Sequence, residues 1–292
     1  MLQLSSVKGN SQWLDGGSMF GNAPRTVWEK WTQIDEKGRI PLSCRCLLLE
    51  LDNKKILFET GIGAFFEPKL ADRFGVQDSQ THVLIENLKK MNLDPGDIDY
   101  VILSHLHFDH AGGLLPTYQE MLAGNEGLSF TNAQILVGKE AWQRALKPHP
   151  RDRASFIPEL NKRLQQSKKL MIIDDQSVPP ALKQHLSFTY SYGHTPGQMH
   201  SLIRADKETL IFAADLIPGS AWVHLPITMG YDRYPERLID EKEQLYKSYH
   251  NRVLFLYFTH DPEWAMGRLT TNEKGHYVAQ DLKKELKSHT LD

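Results

Sequence analysis

"DYVILSHLHFDHAGG", Asp99 to Gly113, runs a short apolar stretch into three histidines and an aspartate and then into paired glycines. The "YVIL" portion reads as a buried strand. The residues after it are suited to chemistry. His105 and His107 are two positions apart, so on an extended backbone their imidazoles share one face and can address the same ion. Asp109 and His110 lie where the chain turns into a helix. Gly112 and Gly113 remove side chains that would crowd this turn.

Further along, other apolar runs end the same way. "YGHTPG" carries His194, "IFAAD" carries Asp215 and "YFTHD" carries His260. A strand brings such a terminus to one rim of its sheet, so the seven residues are expected to assemble one site from distant segments. A dinuclear centre, with ions roughly 3.5–4 Å apart, needs a bridging acid and about three further ligands per ion. These histidines and aspartates supply that set. Imidazole and carboxylate suit zinc, and also iron, manganese or cobalt.

The rest of the chain alternates strand-like and helical segments without a repeat or a break in composition, which predicts a layered α/β fold in a single domain over residues 1–292. "RCLLLEL" and "KKILFET" flank Asp52-Asn53 as a hairpin. "THVLIENLKKM" reads as a helix with Thr81 as its cap. "YPERLIDEKEQLYKSYHN" reads as a helix with an apolar stripe of Leu238, Leu245 and Tyr249. The tail "DLKKELKSH" reads as a solvated amphipathic helix. His82, His149, His185, His250, His276 and His289 lack ligand spacing and are expected at the surface. His200 is expected to be a hydrogen-bonded residue at a strand end.

Composition narrows the function. The 292 residues carry 34 Lys and Arg against 36 Asp and Glu, a net charge of −2. No overall field favours nucleic acid or an anionic membrane. "MLQLSSVKGNSQWLDGG" lacks the basic and apolar regions of an export leader, and no stretch approaches the ~18 apolar residues of a membrane span. Cys44 and Cys46 alternate with Arg45 along "LSCRCLLLEL", and two thiols without a disulfide framework fit a cytoplasmic protein.

Taken together, "HLHFDH", "GHTPG", "AAD" and "THD" resemble the metallo-β-lactamase superfamily. That resemblance implies a four-layer αββα sandwich with the metal site at one edge of its two sheets. It implies His105, His107 and His194 on a first metal, Asp109, His110 and His260 on a second, and Asp215 bridging them. "WLDGGSMFGNAPRTVWEKW", "ETGIG" and "PITMGYDRYPERLIDEKEQL" further resemble its N-acyl homoserine lactonase-like branch. Glu59 stands where that branch usually has Asp before Thr-Gly, and is expected to orient a ligand imidazole from outside the coordination shell.

The reaction implied is hydrolysis of a lactone or ester by a metal-bridging hydroxide, with N-acyl homoserine lactones as candidate substrates and Asp109 as a proton shuttle. An organophosphate or aryl ester hydrolase, a glyoxalase-type thioesterase and a mononuclear iron persulfide dioxygenase are the alternatives. His224 and Tyr231 are candidate substrate contacts, and Phe20, Phe65, Phe66 and Phe108 candidate walls of an acyl pocket. Residues 1–40, rich in aromatics, are expected to form a lid or a homodimer interface.

Overall fold

The computed structural model describes residues 2–174, 178–249 and 252–292. Its strands are β1 (Leu2–Lys8), β2 (Gln12–Asp15), β3 (Arg39–Leu42), β4 (Arg45–Leu51), β5 (Lys54–Phe58), β6 (Tyr100–Leu103) and β7 (Gln134–Gly138). They continue with β8 (Leu170–Ile173), β9 (Leu186–Ser191), β10 (Gln198–Arg204), β11 (Glu208–Phe212), β12 (Val253–Tyr257), β13 (Met266–Thr271) and β14 (Tyr277–Lys283). The described residues divide into two compact units, and the chain passes between them more than once.

The first unit holds a mixed sheet ordered β1-β4-β5-β6-β7-β8. Asp52 adopts a φ of 53° between β4 and β5, closing the expected hairpin with Leu51 opposite Lys54. From β5 to β8 the strands run parallel, so the carboxyl ends of β5 and β6 lie at one rim. That rim of a parallel sheet is where ligands commonly bind. Residues that are apolar throughout "VIL" and "ILV" are buried there, as parallel strands covered on both faces require. Helices Val83–Lys90 and Pro158–Gln166 contribute Leu84, Leu88, Leu160 and Leu164 to the same core.

The second unit holds a sheet ordered β14-β13-β12-β11-β10-β9. β11 and β12 are parallel neighbours, while β10 runs antiparallel to β11. The residues after β11, those after β12 and those before β10 therefore share one rim. Helix Pro235–Ser248 buries Leu238, Lys242 and Tyr246, a stripe at intervals of four. Leu245 and Tyr249 of the expected stripe pack only at its margin. The 13–42 segment shares a small core with Trp222, Ile227 and Met229, in which Phe20 is stacked between Trp28 and Trp222 at centroid distances of 5.4 and 4.5 Å.

Three expectations need correction. "DLKKELKSH" forms no helix: its first residues complete β14, which pairs with β13 at the sheet edge. Charged side chains are what an edge strand carries to discourage further pairing, so their helical spacing was uninformative. The cap of helix Val83–Lys90 is His82 rather than Thr81. His82 is also buried, with Nε2 2.8 Å from the Gly113 carbonyl, and burial lowers its pKa. His149 and His276 are exposed, His185 and His289 half-buried, and His250 lies outside the described residues.

Candidate metal centre

In the first unit, β6 ends at Leu103 and the next seven residues deliver the ligand-type side chains. The His105 ring lies 4.3 Å from that of His107 and 4.1 Å from that of His110, between centroids. Phe108–Ala111 forms the single helical turn that carries Asp109 and His110. The turn is fixed through Thr60, whose N–H and hydroxyl both donate to the His110 carbonyl, at 2.8 and 3.1 Å. The two glycines are required by contact. A Cβ on Gly113 would stand 2.0 Å from the Thr60 carbonyl oxygen, and one on Gly112 would stand 2.3 Å from that of Ile62.

Glu59, fully buried at the end of β5 with a φ of 62°, faces this group. Its Oε1 accepts from the Ser104 N–H at 3.0 Å and lies 3.6 Å from His110 Nδ1. Ser104 Oγ is in turn 2.8 Å from His105 Nδ1. Glu59, His105 and His110 offer ligand atoms within 4.8 Å of one another. Asp109 receives a hydrogen bond on Oδ2 from Gln12 Nε2 at 2.8 Å, and its Oδ1 lies 3.8 Å from His110 Nε2.

In the second unit, His194 precedes β10, Asp215 follows β11 in a short turn, and His260 follows β12. The shared rim brings them together. Asp215 Oδ2 is 3.2 Å from His194 Nε2, and Oδ1 is 3.1 Å from His260 Nε2. Ligand atoms about 2.0–2.1 Å from a tetrahedral zinc ion stand about 3.4 Å apart, so these imidazole and carboxylate atoms have suitable spacing and chemistry for metal coordination. His194 Nδ1 donates to Asp232 Oδ1 at 2.9 Å. Burial raises the Asp232 pKa, and His194 opposes that rise.

Phe65 and Phe66 are 4.1 Å apart, and Phe108 meets Phe66 edge to face at 5.5 Å. Phe20 is packed in the aromatic stack of the second unit. His224 is half-buried, 5.2 Å from the His276 ring, and Tyr231 is 43% exposed. His200 sits within β10, its Nε2 2.7 Å from Ser191 Oγ, and burial lowers its pKa to about 4. Asp232, Gln12, Ser104 and Lys242 were missed by sequence reasoning. Asp232 stood inside the quoted "GYDRYP", but nothing in its spacing linked it to a histidine 38 positions earlier.

Residues 39–116 match the model of the metallo-β-lactamase superfamily. An N-acyl homoserine lactonase of Bacillus thuringiensis is 26% identical over 233 residues, covering 75% of this chain and 81% of the relative. The chain carries a metallo-β-lactamase domain homologous to N-acyl homoserine lactonases and is a hydrolase. A probable metal-dependent hydrolase from Staphylococcus aureus superposes on it with a TM-score of 0.83 at 25% identity, covering 96% of this chain and 97% of the other. AidC, a dizinc quorum-quenching lactonase solved with the product N-hexanoyl-L-homoserine, shares the fold at a TM-score of 0.72 and 22% identity, with coverage of 97% and 95%. The α/β class and the metallo-β-lactamase fold expected of the hydrolase are therefore established. None of its described helices is long and apolar enough to cross a membrane.

Proposed function

We propose that the hydrolase opens lactones, N-acyl homoserine lactones in particular, at a centre of two divalent ions. The proposed ligands are His105, His107 and His194 for one ion, Asp109, His110 and His260 for the other, and Asp215 for both. The observation that carries this reading is the Asp215 carboxylate, which offers one oxygen toward His194 and the other toward His260. A carboxylate so divided is suited to bridging. Zinc is the metal proposed, in line with a dizinc relative of the same fold. The two units are read as parts of one domain.

When bound, such ions polarise an ester carbonyl and provide a water-derived nucleophile at neutral pH. The protein groups have separate tasks. Asp109 is the proposed proton carrier to the leaving alkoxide. Glu59 and Asp232 orient the His110 and His194 imidazoles. His224 and Tyr231 offer polar atoms to substrate oxygens, while Phe65, Phe66 and Phe108 offer apolar surface to an acyl chain.

Two further elements complete the proposal. A cytoplasmic setting is supported by the buried free thiols Cys44 and Cys46. A homodimer formed through the N-terminal segment is supported by Val27 and Trp31, which are 41% and 42% exposed. Gel filtration over a range of concentrations tests the dimer.

Ring opening of a short-chain and a long-chain N-acyl homoserine lactone, followed by proton release on zinc-loaded and chelated protein, tests the activity. Rapid opening that chelation abolishes is the expected result. No turnover of either lactone by protein with its metal content verified would overturn the substrate assignment and direct attention to aryl esters and organophosphates.

A further inference from the structure

The chain gives unusual support to one buried amide beside the ligand-type residues. Gln12 has no solvent exposure, and its Nε2 donates to Asp109 Oδ2 at 2.8 Å. Its Oε1 is buried and accepts no hydrogen bond among the described residues. A buried carbonyl oxygen without a donor costs stability. A leucine or methionine would fill the same space without that penalty.

The backbone leading to Gln12 is tightly held. Asn10, 1% exposed, directs Nδ2 at the carbonyls of Gln77, Asp78 and Thr81, at 3.2, 3.0 and 2.9 Å. Its Oδ1 accepts from the Val83 N–H at 3.2 Å, and the Ser11 carbonyl accepts from the Gln77 N–H at 2.8 Å. Gly9 lies so close to β4 that a Cβ would stand 2.8 Å from the Cys44 carbonyl oxygen. The residues before Gln12 are thus fixed independently of its side chain, which reaches Asp109 from a rigid base.

We infer that Gln12 is a positioning residue for Asp109: its amide N–H holds Oδ2, so that Oδ1 is the oxygen presented, beside His110 Nε2, to the second metal ion. The inference rests on the two-ion reading above. It adds a group 97 positions away in sequence that selects which carboxylate oxygen coordinates. It also accounts for a buried amide satisfied on only one side, because the donor is what the position needs.

The test uses Gln12→Met, which keeps the volume and removes the donor, with Gln12→Ala as a second variant. Zinc affinity at each position is read by chelator competition, and the melting temperature is read on metal-free protein. In Gln12→Met the second ion should bind roughly 10–100-fold more weakly, the usual effect of losing a group that supports a ligand. The first ion should keep its affinity, and the metal-free protein should melt at the wild-type temperature or above it. Unchanged affinity for the second ion would overturn the inference. So would equal weakening of both ions with a lowered melting temperature, which is the signature of a merely structural residue. If the wild type binds only one ion, the two-ion reading fails and this inference with it. Two ions on the wild type with no effect in either variant would dismiss Gln12 alone.

Discussion

The carboxylate of Asp232 joins His194 to the loop before it: Oδ1 accepts from His194 Nδ1 at 2.9 Å and Oδ2 from the Met229 N–H at 2.6 Å. One side chain thereby sets the orientation and tautomer of a candidate ligand and fixes the loop that leads to Tyr231. Removing it as Asp232→Ala should weaken the ion proposed for His194 roughly 10–100-fold. Chelator competition would register this, and wild-type affinity would refute the assigned role.

Asp215 stands between two imidazoles, so replacement by Asn exchanges a charged acceptor for an amide with one acceptor end. Asp215→Asn should release one ion and reduce lactone turnover by more than the roughly 100-fold expected for a group that only supports a ligand. Metal analysis beside a steady-state rate is the check. Unchanged turnover would defeat the proposed mechanism.

The contact at Gly113 is between main-chain segments, with no flexible side chain to move away. Gly113→Ala should therefore push the Thr60 strand end from the loop that carries His110. Overpacking of this kind costs roughly 1–3 kcal/mol, and here it should also lower the metal content. Thermal melting and metal stoichiometry, measured on the same preparation, would reveal whether the two losses occur together.

Lys242 is fully buried, and its ammonium donates to the carbonyls of His224, Leu225 and Ile227 at 3.0, 3.1 and 3.0 Å. Burial lowers its pKa from 10.5 to about 7, with Asp232 opposing the shift. The unfolded chain binds the proton more tightly, so this residue's contribution to stability should rise with pH from about 7 to about 10.5. Lys242→Met should flatten that slope. It should also cost about 2 kcal/mol near neutrality by leaving buried carbonyls without donors. Denaturant melts across this pH range would detect both effects, and parallel pH profiles for the two proteins would contradict them.

How much of the site could be read from the sequence depended on how local each signal was. His105, His107, Asp109 and His110 lie within six consecutive positions, and His194, Asp215 and His260 each adjoin an apolar run, so strand termini marked them. Glu59 was found through the Thr-Gly motif after it. Asp232, Gln12 and Lys242 carry no such signal, because each acts on a partner that only folding brings close. The helix Pro235–Ser248 illustrates the difference. Its apolar residues predicted a stripe of Leu238, Leu245 and Tyr249, whereas the buried stripe runs from Leu238 through Lys242 and Tyr246. A lysine entered the core because carbonyls from a distant loop converge on it.

The tail obeyed the same logic in reverse. Its lysines and leucines have helical spacing, yet pairing with β13 made residues 277–283 a strand. Local sequence thus determined the hairpin at Asp52, the ligand-type residues at the strand ends and the glycines that let their loop close. The tertiary structure decided which carboxylate steadies which imidazole, which amide holds Asp109 and which cation is buried. Periodicity and motif spacing report on neighbours in the chain, whereas hydrogen bonds between residues 38 or 97 positions apart depend on strand order and register, which no local pattern encodes.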